Sequence, residues 1–351
     1  MIFSRFSFLL LSLGALSLNC KTSTSQPPPP QVVYLKDVAK FPIGASVSPT
    51  LLKNNALYRQ VAGREYTSLT CENAMKMRPL HPEATRYDWT DADAIVQFAK
   101  ERGIRMHGHT LLWHQSVPDW MTNFQGDTPA WEALLKDHIQ TVVRHYQGQV
   151  ASWDVVNEAF NDDGTLRNSL WRQKLGDDYL ARCFQYAREA DQQVLLFYND
   201  YGQEYAPKKM QAILDLVADF KKRNIPIDGL GLQLHINVNT SDANIQNLFQ
   251  KAAATGLKLH VSELDVSVNP KGEATVMYTD ELKEKQATRY ELIFKTFKAL
   301  PAAQQHGLTT WNIGDADTWL RSFYKRQDFP LLFDDQYQPK AVYGRLVKVL
   351  K

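Results

Sequence analysis

Two glutamates lie where apolar, strand-like runs turn polar. Glu158 ends the apolar part of residues 153–160 (WDVVNEAF), and Glu263 lies within residues 260–266 (HVSELDV). Strand cores seldom contain unpaired polar groups, because burying them is costly. Two carboxyls over one cleft can hydrolyse a glycosidic bond, since one protonates the leaving oxygen and the other acts at the anomeric carbon. The structural alternative is that Asn157 and Glu158 cap the start of the following helix.

The neighbours of the two glutamates suggest different roles for them. Asp265 follows Glu263 by two residues and therefore points to the same side of a strand. His235 ends another apolar run and can hydrogen-bond both carboxylates, which would hold Glu263 ionised and oriented as a nucleophile. Glu158 lies beside Asn157 and among aromatic residues, where partial loss of water suits a general acid. Taken alone, His235 is better explained as a strand-end histidine whose hydrogen bonds are satisfied, but its place beside Glu263 and Gln233 favours the functional role.

The elements that must position these residues alternate between short β-rich runs and longer amphipathic segments. Apolar residues in the longer segments recur at i, i+3, i+4 and i+7, as one buried helix face requires. Eight strands alternating with helices over roughly 310 residues predict an α/β protein with a single (β/α)8 TIM barrel. No G-x-G-x-x-G follows the first strand, which disfavours an open dinucleotide-binding sheet. The predicted strands are residues 41–47, 68–73, 104–113, 150–159, 193–200, 230–236, 258–266 and 307–315.

A barrel makes a specific prediction about where the polar residues meet. Catalytic groups of such barrels lie at the carboxyl ends of the strands. Carboxylates, amides, imidazoles and indoles collect at the predicted ends: Glu72, Asn73, His109, Trp113, His114, Asn157, Glu158, Asn199, Asp200, Gln233, His235, Glu263, Asp265 and Trp311. Residues that only cap helices would not need to include carboxylates, amides, imidazoles and indoles together. We therefore expect one functional cleft at this end of the barrel.

The N-terminal residues have the pattern of an export signal. Arg5 precedes an apolar run to Leu18, too short to be a confident membrane span. The run stops at Cys20, and the stretch SLNC resembles a bacterial lipobox, although Asn19 departs from the small residue usual there. We expect a lipoprotein-type signal peptide at 1–20, a Ser/Thr/Pro-rich tether at 21–37 and a catalytic barrel at 38–351. The protein should be exported and lipid-anchored at the bacterial cell envelope through Cys20, or otherwise secreted.

Composition excludes several classes of partner. Forty basic against 38 acidic residues give a net charge of +2, and no basic run suggests nucleic-acid binding. Cys71 and Cys183, the cysteines outside the N-terminal signal, lack metal-type spacing and should be small buried apolar residues. We expect no metal, no cofactor, membrane contact only through a lipid at Cys20, and a monomer.

Several segments, in order, resemble glycoside hydrolase family 10, whose members are mostly endo-β-1,4-xylanases. These are TSLTCENAMKM, RMHGHTLLWH, WDVVNEAF, FYNDY, GLQLH, HVSELDV and the stretch from Trp311 to Trp319. The likeness runs from about Phe41 to Tyr343. The separation of the two glutamates (263 − 158 = 105 residues) also fits that family. Each motif alone is weak, but all of them together, each at a strand end, are specific.

The resemblance implies a retaining mechanism on xylan and xylo-oligosaccharides, with Glu158 as acid/base and Glu263 as nucleophile. It implies that His109 and Asn157 bind the sugar at the cleavage point and that Gln233 and His235 lie near the nucleophile. It also implies a polar grip on the next sugar by Glu72, Asn73 and Lys76, and an aromatic platform and roof of Trp113, Trp311 and Trp319.

Two departures and three alternatives accompany this resemblance. Gln115-Ser116 stands where the family usually has a small residue and then Gln, and Asn312 stands where it usually has Gly, which would tighten the roof. The alternatives are a related barrel glycosidase acting on β-1,4-glucans and a non-catalytic sugar-binding lipoprotein. The third is a metal-dependent hydrolase using His107, His109 and His114, since H-x-H on a strand can bind zinc.

Overall fold

The computed structural model describes residues 1–2 and 33–351. The predicted signal peptide, its Cys20 and most of the predicted tether lie outside the described residues, so export and lipidation stay predictions. Within the described residues, no helix combines the length and the apolarity needed to cross a membrane.

Parallel strands close into a barrel, which confirms the predicted fold class. Each strand from β2 to β6 pairs with the one before it, β8 pairs with both β6 and β7, and β9 joins β8 to β1. The strands β6 and β7 are two halves of the sixth barrel position, separated by two residues that include Leu234 at φ 55°. The nine strands of residues 33–351 are β1 Ile43–Val47, β2 Ser68–Cys71, β3 Arg105–Trp113, β4 Ser152–Asn157, β5 Leu195–Asp200, β6 Gly229–Leu232, β7 His235–Asn237, β8 Lys258–Ser267 and β9 Gln305–Thr310.

Helices connect the strands and cover the outside of the barrel. They are α1 Leu35–Val38, α2 Pro49–Asn54, α3 Ala56–Glu65, α4 Met77–Leu80, α5 Thr90–Lys100, α6 Asp119–Thr122, α7 Thr128–His145, α8 Leu170–Leu175, α9 Tyr179–Ala190, α10 Pro207–Lys222, α11 Asp242–Ala254, α12 Asp280–Lys298, α13 Trp319–Tyr324 and α14 Ala341–Leu350. Short 3₁₀ turns cover Ala302–Gln304 and Asp315–Asp317.

The helix α12 illustrates why the amphipathic segments fold as predicted. The Thr279 hydroxyl accepts a hydrogen bond from the Leu282 amide at 3.3 Å and caps the helix start. Acidic residues occupy the first turn and basic residues the last, which complements the helix dipole. The buried residues follow the helical period and pack on the barrel: Gln286, Ala287, Tyr290, Ile293, Phe294 and Phe297.

The folded unit begins earlier than the predicted boundary at residue 38. It extends from Val33, and α1 already packs on the barrel with Leu35 fully buried. The Leu35 amide donates to Glu65 Oε2 at 3.2 Å, and the Tyr343 hydroxyl donates to the same oxygen at 2.7 Å. The last five residues of the predicted tether therefore belong to the packed domain.

A layer of buried histidines fills the barrel interior below its carboxyl end. His107 Nδ1 lies 2.7 Å from Ser152 Oγ, and that oxygen lies 2.9 Å from His306 Nε2. His260 Nε2 lies 2.8 Å from Thr309 Oγ1. Burial lowers the pKa of His260 and of His306 well below the ordinary value, and neighbouring basic groups add to this effect. These two imidazoles are therefore neutral at neutral pH.

This layer predicts a pH-dependent contribution to stability. Below about pH 6.5 the unfolded chain takes up a proton at His260 while the folded form does not, so stability falls as the pH falls. The stability advantage of the wild type over His260→Gln should therefore shrink between about pH 7 and pH 5, by at most about 1.4 kcal/mol per pH unit. Urea unfolding of both proteins at several pH values measures this.

His145→Gln is the matched control, because His145 is only partly buried on α7 and bonds Asp93 at the surface. An advantage over His260→Gln that stays constant across this pH range would contradict the neutral-histidine interpretation.

Candidate active site

The candidate site occupies the mouth formed by the carboxyl ends of the strands. Glu158 directly follows β4 and has a left-handed φ of 57°, which turns the chain sharply at the strand end. Its amide donates to the Asn199 carbonyl of β5 at 2.9 Å, so the turn is fixed by the neighbouring strand. Glu263 lies inside β8 and is 5% exposed. The barrel thus brings the two glutamates to the same cleft.

Three N–H groups converge on the Glu158 carboxylate. The Trp113 indole N–H donates to Oε2 at 2.9 Å. The side-chain amides of Asn157 and Gln233 each donate to Oε1 at 3.2 Å. Glu158 itself is partly exposed, so one side of the carboxyl stays open to the cleft. Three fixed donors hold it in a single orientation while leaving it able to reach a ligand.

Glu263 is held by a different set of partners. His235 Nε2 lies 3.3 Å from its Oε2, and the Asn199 amide donates to its Oε1 at 2.7 Å. The other nitrogen of His235, Nδ1, lies 2.8 Å from Asp265 Oδ2. The Trp319 indole donates to that same Asp265 oxygen at 2.8 Å. The predicted Asp–His–Glu chain is therefore present in the structure.

The Asp265–His235–Glu263 hydrogen-bond chain shifts the pKa values of His235 and Glu263 in opposite directions. Burial acts to lower the pKa of His235, but the charge and hydrogen bond of Asp265, with help from Glu263, raise it to about 10. Burial acts to raise the pKa of Glu263, but the hydrogen bond from His235 and the charges of His109 and His235 bring it below its ordinary value. At neutral pH an ionised Glu263 thus faces a protonated His235.

Asn199 joins the two halves of the site, and sequence reasoning gave it no role beyond its place at a strand end. Its amide nitrogen donates to Asn157 Oδ1 at 2.9 Å as well as to Glu263. Its Oδ1 accepts the Ser262 hydroxyl at 2.7 Å, so the amide orientation is determined by its partners. Gly231 on β6 makes room for it, because a Cβ there would lie 2.1 Å from Asn199 Oδ1. Only the closed barrel reveals this contact.

The predicted polar grip forms around a buried lysine. Lys76 is 9% exposed and its ammonium donates to Asn73 Oδ1 at 2.8 Å. Burial lowers its pKa, while the carboxylates of Glu263, Glu72 and Glu158 act to raise it. Burial raises the pKa of Glu72, although a hydrogen bond from Asn312 and the charge of Lys76 oppose that shift. One ammonium thus lies within the field of three carboxyls.

The three predicted tryptophans line the same cleft. The Lys76 ammonium lies 4.9 Å from the ring centre of Trp113 and 5.8 Å from that of Trp311. Trp319 approaches His235 with ring centroids 5.0 Å apart. Asn312, the departure from the family pattern, has φ 82° and its Oδ1 accepts the Trp319 amide at 3.3 Å. The Asn312 side chain, which a Gly at this position would lack, therefore holds the start of α13.

His109 and Asp154 support the floor of the cleft. His109 Nδ1 lies 2.9 Å and His107 Nε2 3.0 Å from Asp154 Oδ2. Burial acts to raise the pKa of Asp154, but these two rings outweigh it and bring the pKa to about 2. His109 also packs edge-on against Trp311, with centroids 5.2 Å apart. These contacts fix the orientation of the His109 ring.

The histidines of the metal alternative do not meet at one point. In the described part of the chain, the group with metal-type proximity is His107, His260 and His306, whose ligand atoms lie within 4.8 Å of one another in the barrel interior. His109 is held by Asp154, and His114 packs beside Trp113 with ring centroids 5.7 Å apart. The predicted H-x-H set is therefore split between two environments.

Arg167 is a second residue that the sequence did not single out. Its Nε–H donates to the Glu158 carbonyl at 2.9 Å, and its NH2 group donates to the Tyr201 hydroxyl at 2.7 Å. It therefore ties the turn at Glu158 to the loop after β5. No spacing rule identifies such a contact, because Arg167 lies in an irregular loop between β4 and α8.

Replacing Asp265 should change the protonation of His235. In Asp265→Asn the largest cause of the raised pKa is lost, so the pKa of His235 should fall from about 10 toward its ordinary range. An NMR titration of the histidine rings measures this. Asp93→Asn, which removes the carboxylate next to His145, is the control. A His235 ring that stays protonated to the same pH in Asp265→Asn would refute the assignment.

Comparison with known proteins agrees with this geometry. A model of "Glycosyl hydrolase family 10" matches residues 34–349. The endo-1,4-beta-xylanase of Geobacillus stearothermophilus is 40% identical over 322 residues, covering 88% of this chain and 96% of that protein. Exoglucanase XynX of Acetivibrio thermocellus is 38% identical over 347 residues, covering 95% of this chain and 30% of that protein. The chain spans only 27–31% of the length of three of the relatives that it matches.

A solved structure shares the whole fold. The crystal structure of xylanase 10B from Thermotoga petrophila RKU-1, in complex with xylobiose, superposes with a TM-score of 0.85 at 34% identity. The match covers 91% of this chain and 98% of that one. Together with the family match over almost all described residues, this establishes that the chain belongs to glycosyl hydrolase family 10.

Proposed function

We propose that this protein is an endo-1,4-β-xylanase that cleaves internal β-1,4-xylosidic bonds of xylan with retention of configuration. One observation carries the proposal. Two carboxyls, Glu158 and Glu263, lie in one cleft and are connected through the side-chain amides of Asn157 and Asn199, yet each has its own partners. Relatives named as xylanases support the substrate.

In the first step Glu263 attacks the anomeric carbon as Glu158 donates its proton to the glycosidic oxygen. The bond between that carbon and the leaving oxygen breaks, and a covalent glycosyl-enzyme forms. In the second step Glu158 takes a proton from water, the water oxygen attacks the anomeric carbon, and Glu263 leaves as a carboxylate. Protons and charges balance over the two steps, since Glu158 ends protonated as it began.

The partners of each glutamate suit these roles. The lowered pKa of Glu263 keeps it ionised and ready to attack, and the protonated His235 balances its charge. After the first step Glu158 is ionised, and the N–H groups of Trp113, Asn157 and Gln233 hold its carboxylate in position to receive a proton from water. Arg167 fixes the backbone of the same residue.

Substrate recognition follows from the same cleft. We propose that Glu72, Asn73 and Lys76 bind the hydroxyls of the sugar next to the cleavage point, while Trp113, Trp311 and Trp319 contact its apolar faces. Xylose lacks the exocyclic hydroxymethyl group of glucose. A roof of Trp311 and Trp319, tethered by Asn312, would therefore accept xylose and exclude glucose sterically.

The first test is product release from xylan, carboxymethyl cellulose and mixed-linkage glucan. Short xylo-oligosaccharides should appear from xylan, and Glu263→Ala should abolish them because no nucleophile remains. Glu83→Ala, which removes an exposed carboxylate paired with Arg86, is the matched control and should keep full activity. Faster cleavage of either glucan than of xylan would contradict the proposed specificity.

The division of roles is tested with an aryl xyloside that has a good leaving group. Glu158→Ala should retain measurable formation of the glycosyl-enzyme, because such a leaving group needs no proton, whereas Glu263→Ala should lose activity on every substrate. Pre-steady-state release of the aryl alcohol separates the two steps. Equal losses in both variants on the activated substrate would overturn the assignment.

A further inference from the structure

Two exposed aromatic side chains lie at the end of α13. Phe323 is 69% exposed and Tyr324 49% exposed, and their rings pack edge-to-face with centroids 4.9 Å apart. We call these two residues, together with Lys325 and Arg326, the aromatic ledge. A solvent-facing pair of large rings contributes little to the core. Two exposed rings in contact form a small apolar surface on which a ligand can stack.

The ledge is continuous with the candidate active site. Trp319 contacts Phe323 and Tyr324, with centroid distances of 5.5 and 5.7 Å. The same indole packs against His235 at 5.0 Å and donates to Asp265. One tryptophan therefore separates the ledge from the partners of the nucleophile.

The charge beside the rings is positive. Lys325 is exposed and, within residues 33–351, takes part in no ion pair. The Arg326 guanidinium lies 4.6 Å from the Tyr324 ring centre, and its Nε is buried without a hydrogen-bond partner among the described residues. Its nearest carboxylate oxygen, on Asp328, is 3.7 Å away. The exposed Lys325 is thus available to an anionic group placed on the rings, whereas the Arg326 guanidinium already lies beside the buried Asp328 carboxylate.

The other charges near the ledge are already satisfied. Arg321 bonds Asp335 at 2.7 Å and the Asp328 carbonyl at 2.7 Å. The buried Asp328 carboxylate accepts the amides of Val268 and Phe329, each at 2.9 Å. Lys325 therefore stands out as the exposed charge of the ledge that no described ion pair uses.

We propose that the aromatic ledge binds a uronic acid branch of the polysaccharide, an inference that rests on the proposed xylanase function. A uronic acid is a pyranose, so its apolar C–H face can stack on Phe323 or Tyr324. Its carboxylate would form a charge-assisted hydrogen bond with the exposed Lys325 ammonium. A neutral branch would gain the stacking contact but not the ionic one.

Activity on three matched substrates tests this inference. These are glucuronoxylan, arabinoxylan and linear xylo-oligosaccharides, compared as kcat/KM. Phe323→Ala should lower the ratio of glucuronoxylan to linear activity about threefold to tenfold, the loss expected for one stacked ring. Lys325→Gln should lower the same ratio by about twofold to fivefold and leave the arabinoxylan ratio unchanged, because it removes charge alone. Added salt should weaken the preference in the wild type but not in Lys325→Gln.

Leu57→Ala is the control, since Leu57 is an exposed apolar residue, 51% exposed, that lies on α3 and outside the ledge. If Phe323→Ala lowered kcat/KM equally on all three substrates, the ledge would serve only to support Trp319, and the inference would be overturned. Unchanged ratios together with a change in oligomeric state would assign it to a contact between two copies. Cleavage of linear xylo-oligosaccharides by the wild type tests the proposed function separately, so the two failures can be told apart.

Discussion

The amide of Asn199 is the contact on which the rest of the site depends. Its nitrogen donates to both Asn157 Oδ1 and Glu263 Oε1, so it fixes the strand that carries one glutamate against the carboxyl of the other. The amide is fully buried, and an unsatisfied polar group there would cost on the order of 1–3 kcal/mol. The missing side chain at Gly231 provides the space for it. Packing in the barrel wall thus sets the position of the two carboxyls relative to each other.

The same two carboxyls are given different environments by their partners. Glu263 faces an imidazolium, and that imidazolium is maintained by the buried Asp265. Glu158 is contacted by neutral N–H donors and keeps one open side. The two identical side chains therefore lie in different environments, as the different roles proposed for them require.

Much of this architecture could be predicted from local patterns. Every predicted strand overlaps an observed one, because alternating apolar runs and amphipathic segments record which residues are buried. The convergence of His235, Glu263 and Asp265 was also predictable, since parallel strands end at one face of a barrel. The break between β6 and β7 and the start of the domain at Val33 were not predicted. Both depend on contacts with residues distant in sequence.

The sequence by itself determined the fold class, the identity of the residues at the strand ends and the pairing of Glu158 with Glu263 across more than a hundred positions. Only the tertiary structure decided which atoms meet. Asn199, Arg167 and Gly231 matter because of hydrogen bonds and close approaches that fail when displaced by less than an ångström. The type of a residue and the periodic spacing of apolar residues do not depend on such small displacements, whereas hydrogen-bond geometry does. The final atomic positions depend on the twist of every strand, because all strands must fit together when the barrel closes.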